Sequence, residues 1–170
     1  ASREIGDDRF KQLAVAHANM TMRDHVRLDG SVVHICAHNT ANGDVLETLG
    51  GQGFGIGSSW SRGVGWGLYG FVLSYIHTGI QEYLDTAKRI AHYYIANAVA
   101  DDYLPRVDYR SPEDPILFDS TAGAISACGL IEIAKHVPEV EQKIYFEPAI
   151  KVLRALNDKF CDWSDKQDAI

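Results

Sequence analysis

The sequence predicts an all-α fold: about five helices arranged as stacked helical hairpins, with one β-hairpin inserted, forming a single domain over residues 1–170. Three observations carry this. Five segments show helical spacing of apolar residues between caps or breakers. Three of these share an aromatic followed by small or apolar residues at steps of four: Phe10/Ala14/Ala18, Tyr83/Ala87/Ala91 and Tyr145/Ala149/Leu153. The other two open with Gly, Ser or Thr and are apolar nearly all round, as buried helices are. Polar-faced helices alternating with buried ones suggest a repeated hairpin.

The first helix is expected from about Asp7 to His25. Next comes a run of strand formers, Ser31 to Ala37, then Asn42-Gly43 and a second run, Asp44 to Leu49. Asn-Gly between such runs is a hairpin-turn signal. A glycine-rich loop, Gly50 to Gly57, feeds a helix from Ser59 to His77. The next helix, Gln81 to Ala100, is the clearest, and Thr78 and Gln81 have capping-box spacing before it. A long connection, Asp101 to Asp119, leads to a helix from Ser120 to His136, where Asp119 has the character of an N-cap. His136-Val137-Pro138 breaks the chain before the last helix, Val140 to Lys159.

Composition excludes several functions. Hydrophobic residues make up 46% and charged residues 23%, which argues against disorder. Net charge is −7 and no Lys/Arg run is present, so nucleic acid is not an expected partner. The apolar stretches are too short and broken to cross a bilayer, so no membrane partner is expected either. Cys36, Cys128 and Cys161 show no CxxC spacing and fit reduced, buried thiols, with Cys128 in the core. A cytoplasmic location is expected, with periplasmic or secreted as the alternative. The start, Ala1-Ser2-Arg3-Glu4, lacks an initiator Met and is expected to be the end of an element in a longer protein.

Trp60-Ser61-Arg62-Gly63-Val64-Gly65-Trp66-Gly67-Leu68-Tyr69-Gly70-Phe71 opens the second long helix with two Trp, one Arg and several Gly. Gly inside a helix costs about 0.5–1 kcal/mol relative to Ala, so helix stability alone does not explain the segment. Gly63, Gly67, Gly70 and Ser74 form one stripe, expected to allow close helix packing. Arg62 and Trp66 are four apart and project from one face. Two readings balance: an Arg stem packed on a core Trp, or a guanidinium that pairs with a carboxylate beside an aromatic platform. The helix N-terminus and the glycine-rich loop before it favour an anionic, sugar-sized ligand.

His34, Cys36 and His38 alternate along a strand, but no fourth ligand and no HExxH accompany them. No metal is expected there; His34 is read as aimed into a pocket, or else as a structural His on the hairpin. A glycosidase-type carboxylate pair could come from Asp101, Asp102, Asp108, Asp114 or Asp119, and nothing in the sequence selects among them.

Asp29-Gly30-Ser31…His34, the loop with Gln52-Gly53, Trp60-Ser61-Arg62-Gly63…Trp66-Gly67-Leu68-Tyr69-Gly70-Phe71, and Asp119-Ser120-Thr121-Ala122 occur in this order. Together they resemble the unsaturated glucuronyl hydrolases, glycoside hydrolase family 88, over nearly the whole chain. Trp-x-Arg-Gly-x-x-Trp is shared with the unsaturated rhamnogalacturonyl hydrolases of family 105, whose activity is the alternative; a non-catalytic helical binding or scaffold module is the rival from another class. The resemblance implies an (α/α)6 barrel of six hairpins, of which this chain is a central-to-C-terminal portion. It implies removal of a 4,5-unsaturated uronic acid from the non-reducing end of lyase-generated oligosaccharides. An Asp protonates C4 of the enol ether and activates water for attack at C5, with no metal or organic cofactor. His34, Gln52, Arg62 and Trp66 match substrate-site positions: Arg62 near the anionic sugar, Trp66 as a stacking face, His34 and Gln52 as hydrogen-bonding groups. The family's catalytic Asp aligns upstream of Ala1, so these residues alone are expected to be inactive, and exposed half-barrel faces are expected to favour a homo-oligomer. Val64 stands where the family usually has Gln, and Gly51 where it often has His, departures expected to bear on sugar preference.

Overall fold

A computed structural model describes residues 1–164 of the chain. Its elements in order are α1 (Ser2–Ile5), α2 (Arg9–His25), β1 (Ile35–His38), β2 (Val45–Leu49), α3 (Ser61–Thr78), α4 (Gln81–Ala100), α5 (Ser120–His136) and α6 (Glu139–Phe160). The predicted helices are all present, and α1 is a single extra turn ended by Gly6 in the left-handed region. None of the described helices is long and apolar enough to cross a membrane.

Helices α3 and α5 lie side by side at the centre; α4 packs on α3 and α6 on α5, giving two hairpins. Their shared core is Leu68, Val72, Ile90, Tyr94, Leu130 and Ile133 with Tyr83 and Tyr145, all fully buried. Two glycines let α3 and α5 approach. A Cβ on Gly129 would overlap Leu68 Cδ2 and lie 3.1 Å from the Tyr69 Cα, and one on Gly65 would lie 2.9 Å from Ser126 Oγ.

The glycine stripe is therefore not where it was expected to be. Gly63, Gly67, Gly70 and Ser74 line an open groove; of the stripe only Gly67 also meets a helix, where a Cβ would lie 3.3 Å from Ile90 Cδ1, and a Cβ on Gly70 would meet nothing within 4 Å. On a helix apolar all round, periodicity does not say which side a neighbour takes. The repeat also holds unevenly. Tyr83/Ala87/Ala91 is wholly buried, but in α6 the buried line runs Tyr145/Ala149/Val152/Leu156, with Leu153 partly exposed, and α2 has no buried residue. Helix α2 packs Ala18 and Met22 on the core and is bonded to Tyr83, whose hydroxyl donates to Asn19 Oδ1 at 2.8 Å with the Val15 carbonyl at 3.3 Å.

Three local expectations need correction. The Thr78/Gln81 capping box does not form: Thr78 Oγ1 bonds back to the Ser74 carbonyl and Gln81 turns to Asp85. The three thiols are not buried; Cys36 is half-buried, and Cys128 and Cys161 are exposed. Cys128 shares with Thr121, Ala124 and Lys135 the side of α5 that faces away from α3 and α6. The first strand is shorter than predicted, because Val32 leaves it to bridge Val26. Strands β1 and β2 pair antiparallel from Ile35↔Leu49 to His38↔Val45, and Asn42-Gly43 sits inside a longer loop closed by Asn39 and Asp44.

His34 precedes β1 and goes its own way, while Cys36 and His38 both turn to Asp24. The Cys36 thiol donates to the Asp24 carbonyl, and His38 Nε2 lies 2.9 Å from Asp24 Oδ2. Hydrogen bonds from Arg23, and then from His38, hold the Asp24 carboxyl down at about 2, although desolvation works the other way.

Two predictions follow from this packing. Gly129→Ala forces α3 and α5 apart and should lower stability by about 1–3 kcal/mol, read as a fall in the urea midpoint with unchanged slope. Asp24 is depressed in the folded state, so its stabilisation is fully present above its ordinary value of 3.8 and is lost as pH falls through about 2. The gap in urea midpoint between wild type and Asp24→Asn should close over that window.

Candidate active site

The site is built where α3 begins. Asp108 is buried, 1% exposed, and accepts backbone N–H bonds from Phe54, Ser59 and Arg110, each at 2.9–3.0 Å. Around it the chain before α3 pairs with the 101–119 connection: Tyr109 N–H donates to the Ser59 carbonyl and Ser61 N–H to the Val107 carbonyl. The Asp29-Gly30-Ser31 turn joins the same assembly. Asp29 Oδ1 accepts from Ser31 N–H and Oγ–H, and Oδ2 accepts from Arg110. Desolvation works against the charged form of Asp29, yet the Ser31 bonds and then Arg110 hold its carboxyl below the usual range.

These anchors place Trp60, which is nearly buried. The His34 ring lies 4.3 Å from it, tilted 34°, and the Arg62 guanidinium lies 5.0 Å from its centroid. Arg62 also reaches across to α5: Nε and Nη2 contact Asp119 Oδ2 at 3.0 and 2.9 Å. Asp119 Oδ1 meanwhile caps α5 by accepting from Ala122 N–H at 2.9 Å. The predicted cap is present, and its second oxygen ties the N-termini of the two central helices together.

Between α2 and α3 runs a groove of about 900 Å³, within the roughly 300–1,000 Å³ of small-molecule sites. Its walls include Phe10, Leu13, Phe71 and Trp66 with the glycine stripe of α3, and its polar groups include His17, His25 and His34. Trp66 is 55% exposed and open to a ligand.

Of the four predicted site residues, His34 and Trp66 line this groove. Arg62 lies beside it over Trp60, already ion-paired, with Nη1 unpartnered among the described residues. Gln52 is exposed at its side chain and touches the site through its backbone, whose N–H donates to His34 Nδ1 at 2.9 Å. Val64 is fully buried and is not among the residues that line the groove. None of the five candidate carboxylates lines the groove: Asp108 and Asp119 are bound as described, and Asp101 pairs with Arg106. Sequence reading named Asp108 and Trp60 but missed their structural roles, because Asp108 meets Phe54 and Ser59, and Trp60 meets His34, across tens of positions that no spacing rule links.

No protein-family model matches the sequence. Among curated proteins, the chain is 36% identical over 168 residues to an unsaturated glucuronyl hydrolase of Bacillus sp. (strain GL1), covering 97% of this chain and 44% of that protein. It is 31% identical over 169 residues to an unsaturated chondroitin disaccharide hydrolase of Streptococcus pneumoniae, covering 94% and 42%. Among solved structures, the unsaturated glucuronyl hydrolase of Bacillus sp. GL1 superposes with a TM-score of 0.91 at 35% identity over 96% of this chain and 44% of that one. A mutant of the Streptococcus agalactiae enzyme complexed with dGlcA-GalNAc6S superposes with a TM-score of 0.82 at 27% identity, again over 96% and 44%.

Asp119 carries two roles that substitution can separate. Asp119→Asn keeps a capping oxygen but loses the ion pair and turns an NH2 donor toward Arg62, so its cost should be about 1 kcal/mol. Asp119→Ala loses the cap as well and should cost about 1–2 kcal/mol. Equal urea midpoints for the two variants would show that the cap contributes nothing.

In sequence and in backbone path the chain is a relative of the unsaturated glucuronyl hydrolases, and it spans less than half of their length.

Proposed function

We propose that this protein removes a 4,5-unsaturated uronic acid from the non-reducing end of lyase-generated oligosaccharides by hydrating the C4=C5 enol ether. The observation that carries this reading is the meeting of His34 and Trp66 in one groove, with Arg62 fixed beside it over Trp60. The likeness to enzymes named for unsaturated glucuronyl and chondroitin disaccharide substrates supports the substrate class. In this reading the 170 residues are a central-to-C-terminal portion of an (α/α)6 barrel.

Trp66 offers an apolar face to the sugar ring. Arg62 turns its free Nη1 toward the uronate carboxylate, and Asp119 holds the guanidinium in place. His34 and the Gln52 side chain hydrogen-bond polar groups of the sugar. A carboxylic acid delivers a proton to C4, and water adds to C5 while returning a proton to the same carboxylate. The resulting hemiketal opens and releases the aglycone. In this reading the proton donor is the family's catalytic Asp, which aligns upstream of Ala1; among the described residues no carboxylate lines the groove. Three unpaired thiols, two of them exposed, support a cytoplasmic location.

The test is the decay of ultraviolet absorbance of an unsaturated glucuronyl disaccharide with the full-length protein. Arg62→Ala should lower kcat/KM roughly 10- to 100-fold, the worth of one charge-assisted hydrogen bond. The 170 residues alone should give no decay. An unsaturated rhamnogalacturonyl disaccharide turned over in preference would move the protein to the sister activity, and no decay with either substrate would remove the reading.

A further inference from the structure

We infer that the backbone amide of Gln52, delivered by a left-handed turn at Gly51, fixes the neutral ring of His34 in its Nε2–H form, so that His34 presents a hydrogen-bond donor to the groove. Gly51 is thereby a positioning residue. The tautomer stands on geometry alone; only the identity of the ligand it meets rests on the uronide reading.

His34 Nδ1 has two backbone groups in reach. The Gln52 N–H is 2.9 Å away and can only donate; the Gly50 carbonyl is 3.2 Å away and can only accept. Nδ1 can satisfy one of them, because it carries either a lone pair or a proton. Two facts decide which. The Gln52 N–H has no other partner among the described residues, whereas the Gly50 carbonyl already accepts from Gly53 N–H at 2.9 Å. A proton on Nδ1 would break the shorter bond, to the first, and add nothing needed by the second. The lone pair therefore sits on Nδ1 and the proton on Nε2. Trp60, its ring centroid 4.3 Å away and tilted 34°, packs on the ring, and Nε2 has no partner among the described residues.

Gly51 makes the contact available. Its φ is +58°, a region that L side chains rarely adopt. A Cβ there would overlap His34 Nδ1 and stand 2.9 Å from Ile35 Cδ1. Any side chain at 51 pushes the ring off the Gln52 amide. The consequence is chemical: a fixed Nε2–H matches an acceptor on the ligand, such as an ether or carboxylate oxygen.

Nuclear magnetic resonance of the full-length protein, labelled with 15N-histidine and 15N-glutamine, reads this directly. His34 is assigned as the ring signal lost in His34→Gln. Expected are an unprotonated Nδ1, a protonated Nε2, and a scalar coupling between Nδ1 and the Gln52 amide nitrogen across the hydrogen bond. Gln52→Ala keeps the amide and should leave the ring pattern unchanged; Gly51→Ala should abolish it. A protonated Nδ1, or no coupling in the wild-type protein, overturns the inference whether or not Gly51→Ala folds. A wild-type ring pattern retained in Gly51→Ala overturns the positioning role. The measurement needs no substrate, so its outcome is separate from the absorbance assay.

Discussion

Everything at the business end of this chain hangs on one buried carboxylate. Asp108 takes three backbone N–H groups, two from the glycine-rich side and one from its own turn. Such charge-assisted bonds are each worth about 1.5–3 kcal/mol net, which offsets the penalty of removing the carboxylate from water. Their geometry matters more than their sum. They lock the approach to α3 against the 101–119 connection, so the first residue before α3, Trp60, has one position. His34 and Arg62 are then set by stacking on that ring. A loop of glycines is made as rigid as a strand pair without being one.

Much of the fold was legible because its signals are local. Apolar period, the Pro138 break and the Asp119 cap mark helix ends within a few residues of where they lie. What stayed hidden is orientation about the helix axis. Both sides of α3 are apolar or small, so the sequence does not say that Gly63, Gly67 and Gly70 look into a groove while Gly65 meets a helix. Cys128 was misjudged for the same reason: an apolar neighbourhood in sequence became an exposed side of α5.

The site was legible as residue types and not as partners. Arg62 and Trp66 stand out by spacing, but the Arg62–Asp119 pair joins residues from two helices separated by the whole of α4. That pair changes the meaning of the Arg. A free cation would recruit any anion; a paired and stacked one recognises shape through the donors it has left. Gln52 is the reverse case, where a residue noticed for its side chain acts on its neighbour through its backbone.

The missing side chain at Gly129 also has a reach beyond its own contact. The separation of α3 and α5 is gauged there, where Leu68 fills the place a methyl would occupy. The same two helices carry Arg62 and Asp119 at their other end, and a salt bridge tolerates only tenths of an ångström before it loosens. One hydrogen atom in the core thus acts as a shim for the aim of a guanidinium nearly three helical turns away along α5.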